Sequence, residues 1–225
     1  MPDTSDYTGD VSVGGPPDVR ALPGLTVTKV AVGPFDNNSY LLRCPETGEV
    51  LLIDAAAEPR ILLRMVGDGH LVRIVTTHRH PDHVGALREV VATTRARTAA
   101  HDWDAEALPV RVDERLHDGD EVAVGNARLR VIHLEGHTRG GAALLYDAAG
   151  ELADSPHLFT GDSLFPGGPG NTQGDPARFT RLMDDLESKV FGPLPDATWI
   201  YPGHGKDTTL GRERPSLPEW RARGW

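Results

Sequence analysis

The sequence predicts an α/β (α+β) protein with two mixed β-sheets, each covered by helices. Three observations lead there. Short apolar runs rich in β-branched residues recur along most of the chain. Helical patterns are few and do not alternate with the strands as a simple βαβ repeat would. No compositional shift divides residues 25–225, a length that fits one domain.

Taken in order, residues 1–24 carry Gly9, Gly14-Gly15, Pro16-Pro17 and Pro23-Gly24 with little apolar periodicity, and read as a flexible N-terminal tail. Leu25–Gly33 alternates as a half-buried strand. Ser39–Arg43 and Val50–Ile53 follow as strands joined by Pro45-Glu46-Thr47-Gly48. Glu58-Pro59 opens a helix with Ile61, Leu62, Met65 and Val66 inward, closed by Gly67 and Gly69. Leu71–Thr76 is a strand. Val84, Leu87, Val90 and Val91 then fall at helical spacing behind Asp82 as a candidate N-cap. Thr98–His101 reads as a short strand and Asp102–Leu108 as a helical turn. Glu121–Val124, Ala127–Leu134, Ala142–Tyr146, His157–Thr160 and Thr198–Tyr201 read as further strands. Between the last two, Asp175-Pro176 caps an amphipathic helix with Phe179, Leu182, Met183, Leu186 and Val190 on one face, ended by Gly192-Pro193. The stretch after His204 reads as a short Pro- and Arg-containing C-terminal tail. Trp220 and Trp225 in it either pack on the body or mediate self-association.

The formal net charge of −10 argues against nucleic acid as a partner. No apolar run is long enough for a signal-peptide core or a membrane span, so no membrane partner is expected. Cys44 is the single cysteine, which rules out an intrachain disulfide and fits a cytoplasmic setting. A small-molecule substrate is the partner expected, and the oligomeric state is left open.

The chemistry gathers in Thr77-His78-Arg79-His80-Pro81-Asp82-His83, on the turn between a strand and a helix. Packing three imidazoles and a carboxylate into seven residues serves no structural purpose without a metal. Three later places repeat an apolar strand, a glycine and a potential ligand: Gly136-His137, Gly161-Asp162 and Gly203-His204. Glycine lets the backbone turn sharply and approach a site closely. If these strand ends align, five histidines and two aspartates meet. Seven ligands are too many for one tetrahedral ion and suit two. His78, His80 and His137 would hold one, Asp82, His83 and His204 the other, with Asp162 spanning both. His70, His101, His117, His133 and His157 lack this context and read as structural or exposed.

These motifs resemble the metallo-β-lactamase superfamily of binuclear metallohydrolases, and within it the glyoxalase II-like branch. The resemblance runs through residues 77–83, Gly136-His137-Thr138, Phe159-Thr160-Gly161-Asp162 and Pro202-Gly203-His204-Gly205, with Leu52-Ile53-Asp54 as the early strand and aspartate. It implies a four-layer αββα sandwich with two divalent ions at one edge, zinc first, iron or manganese as alternatives. It also implies Asp54 as an orienting residue behind a ligand, and Asn38 and Tyr40, on an early turn near the site, as candidate substrate contacts. His80 separates this chain from the similar diiron flavo-oxidoreductases, which tend to carry Glu there. Two features depart from glyoxalase II. The residues after His204 do not read as its basic helical extension, and Phe165–Asn171 differs from its usual glycine-cysteine-glycine-arginine stretch. The thiol carrier is therefore open, and an ester or lactone also fits.

The activity implied is hydrolysis of a small thioester or related ester by a water acidified between two ions. Asp82 and Asp162 would be catalytic as well as ligating, by holding that water's geometry. A thiolate leaves without a dedicated acid, which favours a thioester over an amide. Arg139, two residues past His137, is a candidate for a substrate carboxylate. Residues 163–174 read as a flexible rim or a plain connector. Two rivals stand: a mononuclear-iron persulfide dioxygenase of the same branch using His78, His137 and Asp162, and a metal-binding protein without turnover.

Overall fold

In the computed structural model, which describes residues 7–148 and 155–224, strands lie in two large sheets and a small hairpin. The first sheet runs β1 (Asp18–Leu22), β2 (Leu25–Val32), β3 (Asn37–Arg43), β4 (Glu49–Ile53), β5 (His70–Thr76), β6 (Arg97–His101) and β7 (Glu114–Leu116) in sequential order. Its first four strands are antiparallel to their neighbours, and β4 to β7 are parallel. The second sheet comprises β8 (Glu121–Val124), β9 (Ala127–His133), β10 (Ala142–Tyr146), β11 (His157–Gly161), β14 (Trp199–Pro202) and β15 (Thr208–Thr209). Only its β11–β14 pair is parallel. The hairpin joins β12 (Leu164–Phe165) to β13 (Gly168–Pro169).

The alternation of side chains explains why the sheets stack. One face of each strand contributes Val27, Leu42, Leu51 and Val75 or Leu129, Val131, Leu144 and Phe159 to a shared inner core. The outer face of the first sheet buries Leu41, Leu52 and Ile74 under α1 (Pro59–Val66) and α2 (Leu87–Thr94). The outer face of the second packs Ile132, Leu145 and Ile200 under α4 (Pro176–Asp185), with α3 (Asp102–Ala105) preceding it in the chain beside β6. This is the four-layer αββα sandwich that the resemblance implied.

Local chemistry sets the helix ends. Asp175 Oδ1 accepts hydrogen bonds from the backbone N–H groups of Ala177 and Arg178, and Pro176 fills the first helical position. The helix then widens to a π turn over Leu186–Phe191, which keeps Leu186, Val190 and Phe191 all buried. The expected Asp82 cap is not formed. Pro81–His83 is instead a single 3-10 turn, α2 starts at Leu87, and Asp82 is left for the site.

Two expectations about the ends of the chain are corrected. The part of the N-terminal segment from Tyr7 onward is bound to the body, and the sheet begins at Asp18. Strand β1 escaped notice because its burial is only partial and it pairs on one side, so its sequence carries no apolar alternation. After His204, α5 (Leu210–Glu213) and α6 (Leu217–Arg223) pack onto the second sheet, with Trp220 buried against Phe191. Residues 1–6 and Trp225 lie outside the described residues. Among those described, no helix is long and apolar enough to cross a membrane.

A buried ion pair fastens both ends. Lys29 Nζ donates to Asp207 Oδ1 (2.6 Å) and to the carbonyls of Gly9 and Gly205 (2.7 Å each), so all three ammonium protons are used. Asp207 Oδ2 accepts from Tyr7 Oη (2.7 Å) and Trp199 Nε1 (2.8 Å). Tyr201 and His157 lie next to it in the inner layer, joined by a 2.9 Å hydrogen bond.

Burial and the nearby Arg20 charge hold the His157 pKa down at about 4. Because the folded value lies below the usual value of about 6.5, the unfolded chain binds the extra proton in between. Stability is therefore expected to fall as pH drops from about 6.5 toward 4. Denaturant titrations of metal-free protein should show a shallower loss across that window in His157→Gln, and an unchanged slope would refute this assignment.

Candidate metal centre

The site forms where the ends of β4 and β5 from one sheet meet those of β9, β11 and β14 from the other. The seam is closed by backbone hydrogen bonds from Ala142 N–H to the Thr77 carbonyl (2.9 Å) and from Asn38 N–H to the Gly203 carbonyl (2.7 Å). All seven residues expected as ligands converge here. His78 Nε2 lies 3.1 Å from His80 Nδ1, which lies 2.9 Å from His137 Nε2. His83 Nε2 lies 3.2 Å from His204 Nε2, and Asp82 Oδ2 lies 3.6 and 3.4 Å from these two atoms. Asp162 stands between the groups. Its Oδ2 is 3.6 Å from His137 Nε2 and 3.5 Å from His204 Nε2, and its Oδ1 is 3.3 Å from His83 Nε2. Three groups of three lie close enough to hold an ion: His78, His80 and His137; Asp82, His83 and His204; and Asp54, His78 and His83.

Two of the glycines preceding these residues have a direct steric reason. Gly161 adopts φ of +49°, and a Cβ there would meet Thr77 Oγ1 at 2.6 Å. A Cβ on Gly203 would lie 2.0 Å from Asp162 Oδ1 and 2.9 Å from His83 Cε1. The chain passes this close to the carboxylate only because position 203 lacks a side chain.

The outer nitrogens of the rings are held, which aims the inner ones. His137 Nδ1 donates to the Asn171 carbonyl and His204 Nδ1 to the Phe35 carbonyl, both at 2.8 Å. A carbonyl only accepts, so in each ring Nδ1 carries the proton and Nε2 faces inward with a lone pair. His83 Nδ1 pairs with Asp54 Oδ2 at 2.8 Å, and His78 Nδ1 with Thr77 Oγ1 at 3.1 Å. Asp54 also accepts from the Thr77 N–H and hydroxyl, at 2.7 Å each, and adopts φ of +56° to do so. Asp54 thereby fixes the His83 ring and the start of the His78–His83 loop.

This donor set fits cations. Burial lowers the pKa values of His78, His80 and His137, which favours the neutral, ligating rings. Inward lone pairs only 2.9–3.2 Å apart repel unless something positive lies between them. Burial acts against charge on His83 as well, yet the neighbouring carboxylates of Asp162 and Asp54 raise its pKa to about 10. Burial likewise opposes ionisation of Asp162, but His204 and His83 hold its carboxyl well below the usual range. The Asp162 Oδ1 atom is buried, and the His83 Nε2 contact at 3.3 Å falls short of a hydrogen bond, so among the described residues this oxygen has no hydrogen-bond donor. The arrangement demands positive charge where the second set converges, which a divalent cation would supply.

Other expected contacts fall differently. Asn38 and Tyr40 are buried, and their polar atoms are engaged by backbone carbonyls. Asn38 Nδ2 donates to the carbonyls of Pro202 and Gly205 (2.9 Å each), and Tyr40 Oη to that of Pro202 (2.6 Å). They hold the His204 loop, and a side chain buried on an inward strand position cannot serve an open site. Arg139 lies outside both sets, its guanidinium 4.3 Å from the Trp103 ring centre. Residues 163–174 contain the hairpin, bury Leu164 and supply the Asn171 carbonyl to His137, so they support the site as well as border it. His101 and His133 stack on each other at 4.0 Å, away from the centre.

Sequence reasoning missed Asn37, whose Nδ2 donates to Asp82 Oδ2 (2.8 Å), though it stood beside Asn38 in the same turn. It also missed Asp104. This buried carboxylate accepts from Arg79 N–H and Gly140 N–H (3.0 Å each) and so ties the His78–His80 loop to the His137 loop. Nothing local in the sequence marks either residue, because each acts on a segment far away in the chain.

The family model for the metallo-beta-lactamase superfamily matches residues 32–204. A hydroxyacylglutathione hydrolase of Nitrosococcus oceani is 36% identical over 178 residues, spanning 76% of this chain and 62% of that protein. The chain thus spans less than two thirds of the length of such curated relatives. Among solved structures, the BLEG-1 B3 metallo-beta-lactamase superposes with a TM-score of 0.75 at 25% identity, covering 86% of this chain and 99% of that one. TTHA1623 in a di-iron-bound form does so with a TM-score of 0.69 at 30% identity, covering 85% and 98%.

Proposed function

Because the chain belongs to the metallo-beta-lactamase superfamily, we propose that it is a metal-dependent hydrolase of small acyl thioesters, working with two divalent ions, zinc foremost. The observation that carries this reading is Asp162, a single carboxylate within 3.6 Å of inward ring nitrogens from both histidine sets. The naming of a 36% identical relative as a hydroxyacylglutathione hydrolase supports the thioester class, as the di-iron form of a 30% identical structure supports two ions.

When bound, the ions supply Lewis acidity, lowering the pKa of a water and polarising the substrate carbonyl. His78 Nε2, His80 Nδ1 and His137 Nε2 would hold one, and Asp82 Oδ2, His83 Nε2 and His204 Nε2 the other, with Asp162 toward both. The Asp82 side chain is 27% exposed. Burial raises its pKa, but the Asn37 hydrogen bond and the His83 charge lower it further than burial raises it. So weak a base orients the attacking water by accepting its hydrogen bond; it does not store the proton. Four of the five rings have their rear nitrogens committed to Thr77, Asp54, Asn171 and Phe35. Their rear N–H protons are already donated to those partners on the side away from the inner nitrogens, so these four rings are poorly placed to protonate a leaving amine. A thiol, with a pKa of about 8.5, departs as thiolate without protonation.

The test is metal content measured alongside thioester turnover. Two equivalents per chain are expected, with activity lost on chelation and regained on adding zinc, manganese or iron. Full activity after exhaustive chelation overturns the reading. So would a single iron per chain with oxygen uptake on a persulfide.

A further inference from the structure

Beside the three-histidine set the surface dips into a cleft of about 360 Å³. Its walls come from the loops that carry the set: Arg79 sits between His78 and His80, and Gly136 and Thr138 flank His137. Arg139 follows in the same loop, and α4 closes the far side with Arg178 and Arg181. Four arginines and one acid, Glu135, therefore line the cleft, in a chain whose net charge is −10. A concentration of one sign against the overall balance marks a place built for the opposite charge.

The four arginines are not equivalent. Arg178 is spent on the scaffold: it donates to the Gly136 carbonyl (2.8 Å), to the His137 carbonyl and to Gln173 Oε1 (3.0 Å). The other three keep donors in reserve. Arg79 Nε comes only within 3.8 Å of Asp104, and Arg181 Nη1 within 3.6 Å of Glu135, both beyond hydrogen-bond range. Arg139 is fixed by the Trp103 face, and a guanidinium stacked on a ring still presents its N–H edge.

We propose that this cleft binds the anionic end of the substrate, a compact oxyanion (carboxylate or phosphate) remote from the bond that is cut. This rests on the thioester reading and narrows it to thioesters that carry a negative charge. The volume suits a small-molecule moiety and not a polymer. Planar guanidiniums at the rim match the paired oxygens of such a group, and Arg178 keeps the wall in register with His137. An anion seated here would lie against the loops that hold the first ion, so its binding energy can position the scissile carbonyl.

The experiment uses metal-replete protein and four thioesters matched in size: one neutral, one with a carboxylate on the acyl side, one with a carboxylate on the thiol side and one with a phosphate on the thiol side. At least one anionic substrate should exceed the neutral one by about ten-fold in kcat/KM, through KM, as expected for a charge-assisted contact. That ratio should collapse toward one in Arg139→Gln/Arg181→Gln and be partly kept in Arg139→Lys/Arg181→Lys. Equal use of neutral and anionic thioesters, or a ratio unmoved by the glutamine pair, overturns the cleft proposal while leaving the hydrolase reading intact. If no thioester is turned over, the hydrolase reading fails, and a binding measurement still judges the cleft. Inorganic phosphate titrated into the same protein should shift the Nε–Hε NMR signals of Arg79, Arg139 and Arg181. No shift at large excess overturns it.

Discussion

Asp162→Ala is expected to lower thioester turnover by at least about 10³-fold, the scale seen when a preorganised electrostatic contact at a reacting centre is removed. It should also leave purified protein with well under two ions per chain. The reason is geometric: the Asp162 carboxylate alone is close to the inward nitrogens of His83, His137 and His204. Losing His80 would thin one set, whereas losing Asp162 takes a carboxylate from both and leaves several lone pairs facing one another. Elemental analysis and kinetics on the same preparation check this. Two ions and near-normal turnover in Asp162→Ala would show that the carboxylate is not a shared ligand. A folded, metal-poor Asp162→Asn protein with unaltered circular dichroism would exclude simple misfolding as the cause.

Lys29→Met is expected to destabilise the protein by about 3–5 kcal/mol, because it strands a buried carboxylate. Lys29 and Asp207 both have fully buried side chains, 2.6 Å apart. Burial pulls the ammonium pKa down and pushes the carboxyl pKa up, so each needs the other to stay charged. Removing both charges with Lys29→Met/Asp207→Asn should recover much of the loss, since a neutral amide costs less to bury than an unpaired ion. Chemical denaturation of the two single variants and the double variant measures the coupling. Additive losses would mean that the pair does not act as a unit. Because Lys29 also holds the Gly205 carbonyl next to His204, the single variant should loosen one end of the second ligand set as well.

How much of this was legible in the sequence depended on the range of each interaction. The interior strands were readable because β2, β5 and β9 write their burial as local alternation or β-branched runs. The ligands were readable because three of them and Asp82 lie within His78–His83, and the other three each follow a glycine at a strand end. Gly203 shows why that signal is physical: its missing side chain is the space Asp162 occupies. What escaped was held from a distance. Strand β1 is an edge, stabilised by pairing with β2 and by Arg20, which lies over the Trp199 ring and donates to Tyr201 Oη near the far end of the chain. Helix α6 looked like a tail because its apolar contribution is concentrated in Leu217 and Trp220. Asn38 and Tyr40 were placed near the site correctly but given the wrong task, since only the strand register reveals that they face the core.

The seam between the sheets has a consequence for durability. Neither ligand set belongs to one sheet: His78, His80, Asp82 and His83 follow β5, while His137, Asp162 and His204 follow strands of the other sheet. Each ion would therefore act as a removable staple across the sandwich, closing loops between residues far apart in sequence. Such a staple tightens the fold only while it is loaded, by an amount set through mass action. The supply of free metal in the surroundings would then govern how long the protein survives as well as how fast it works.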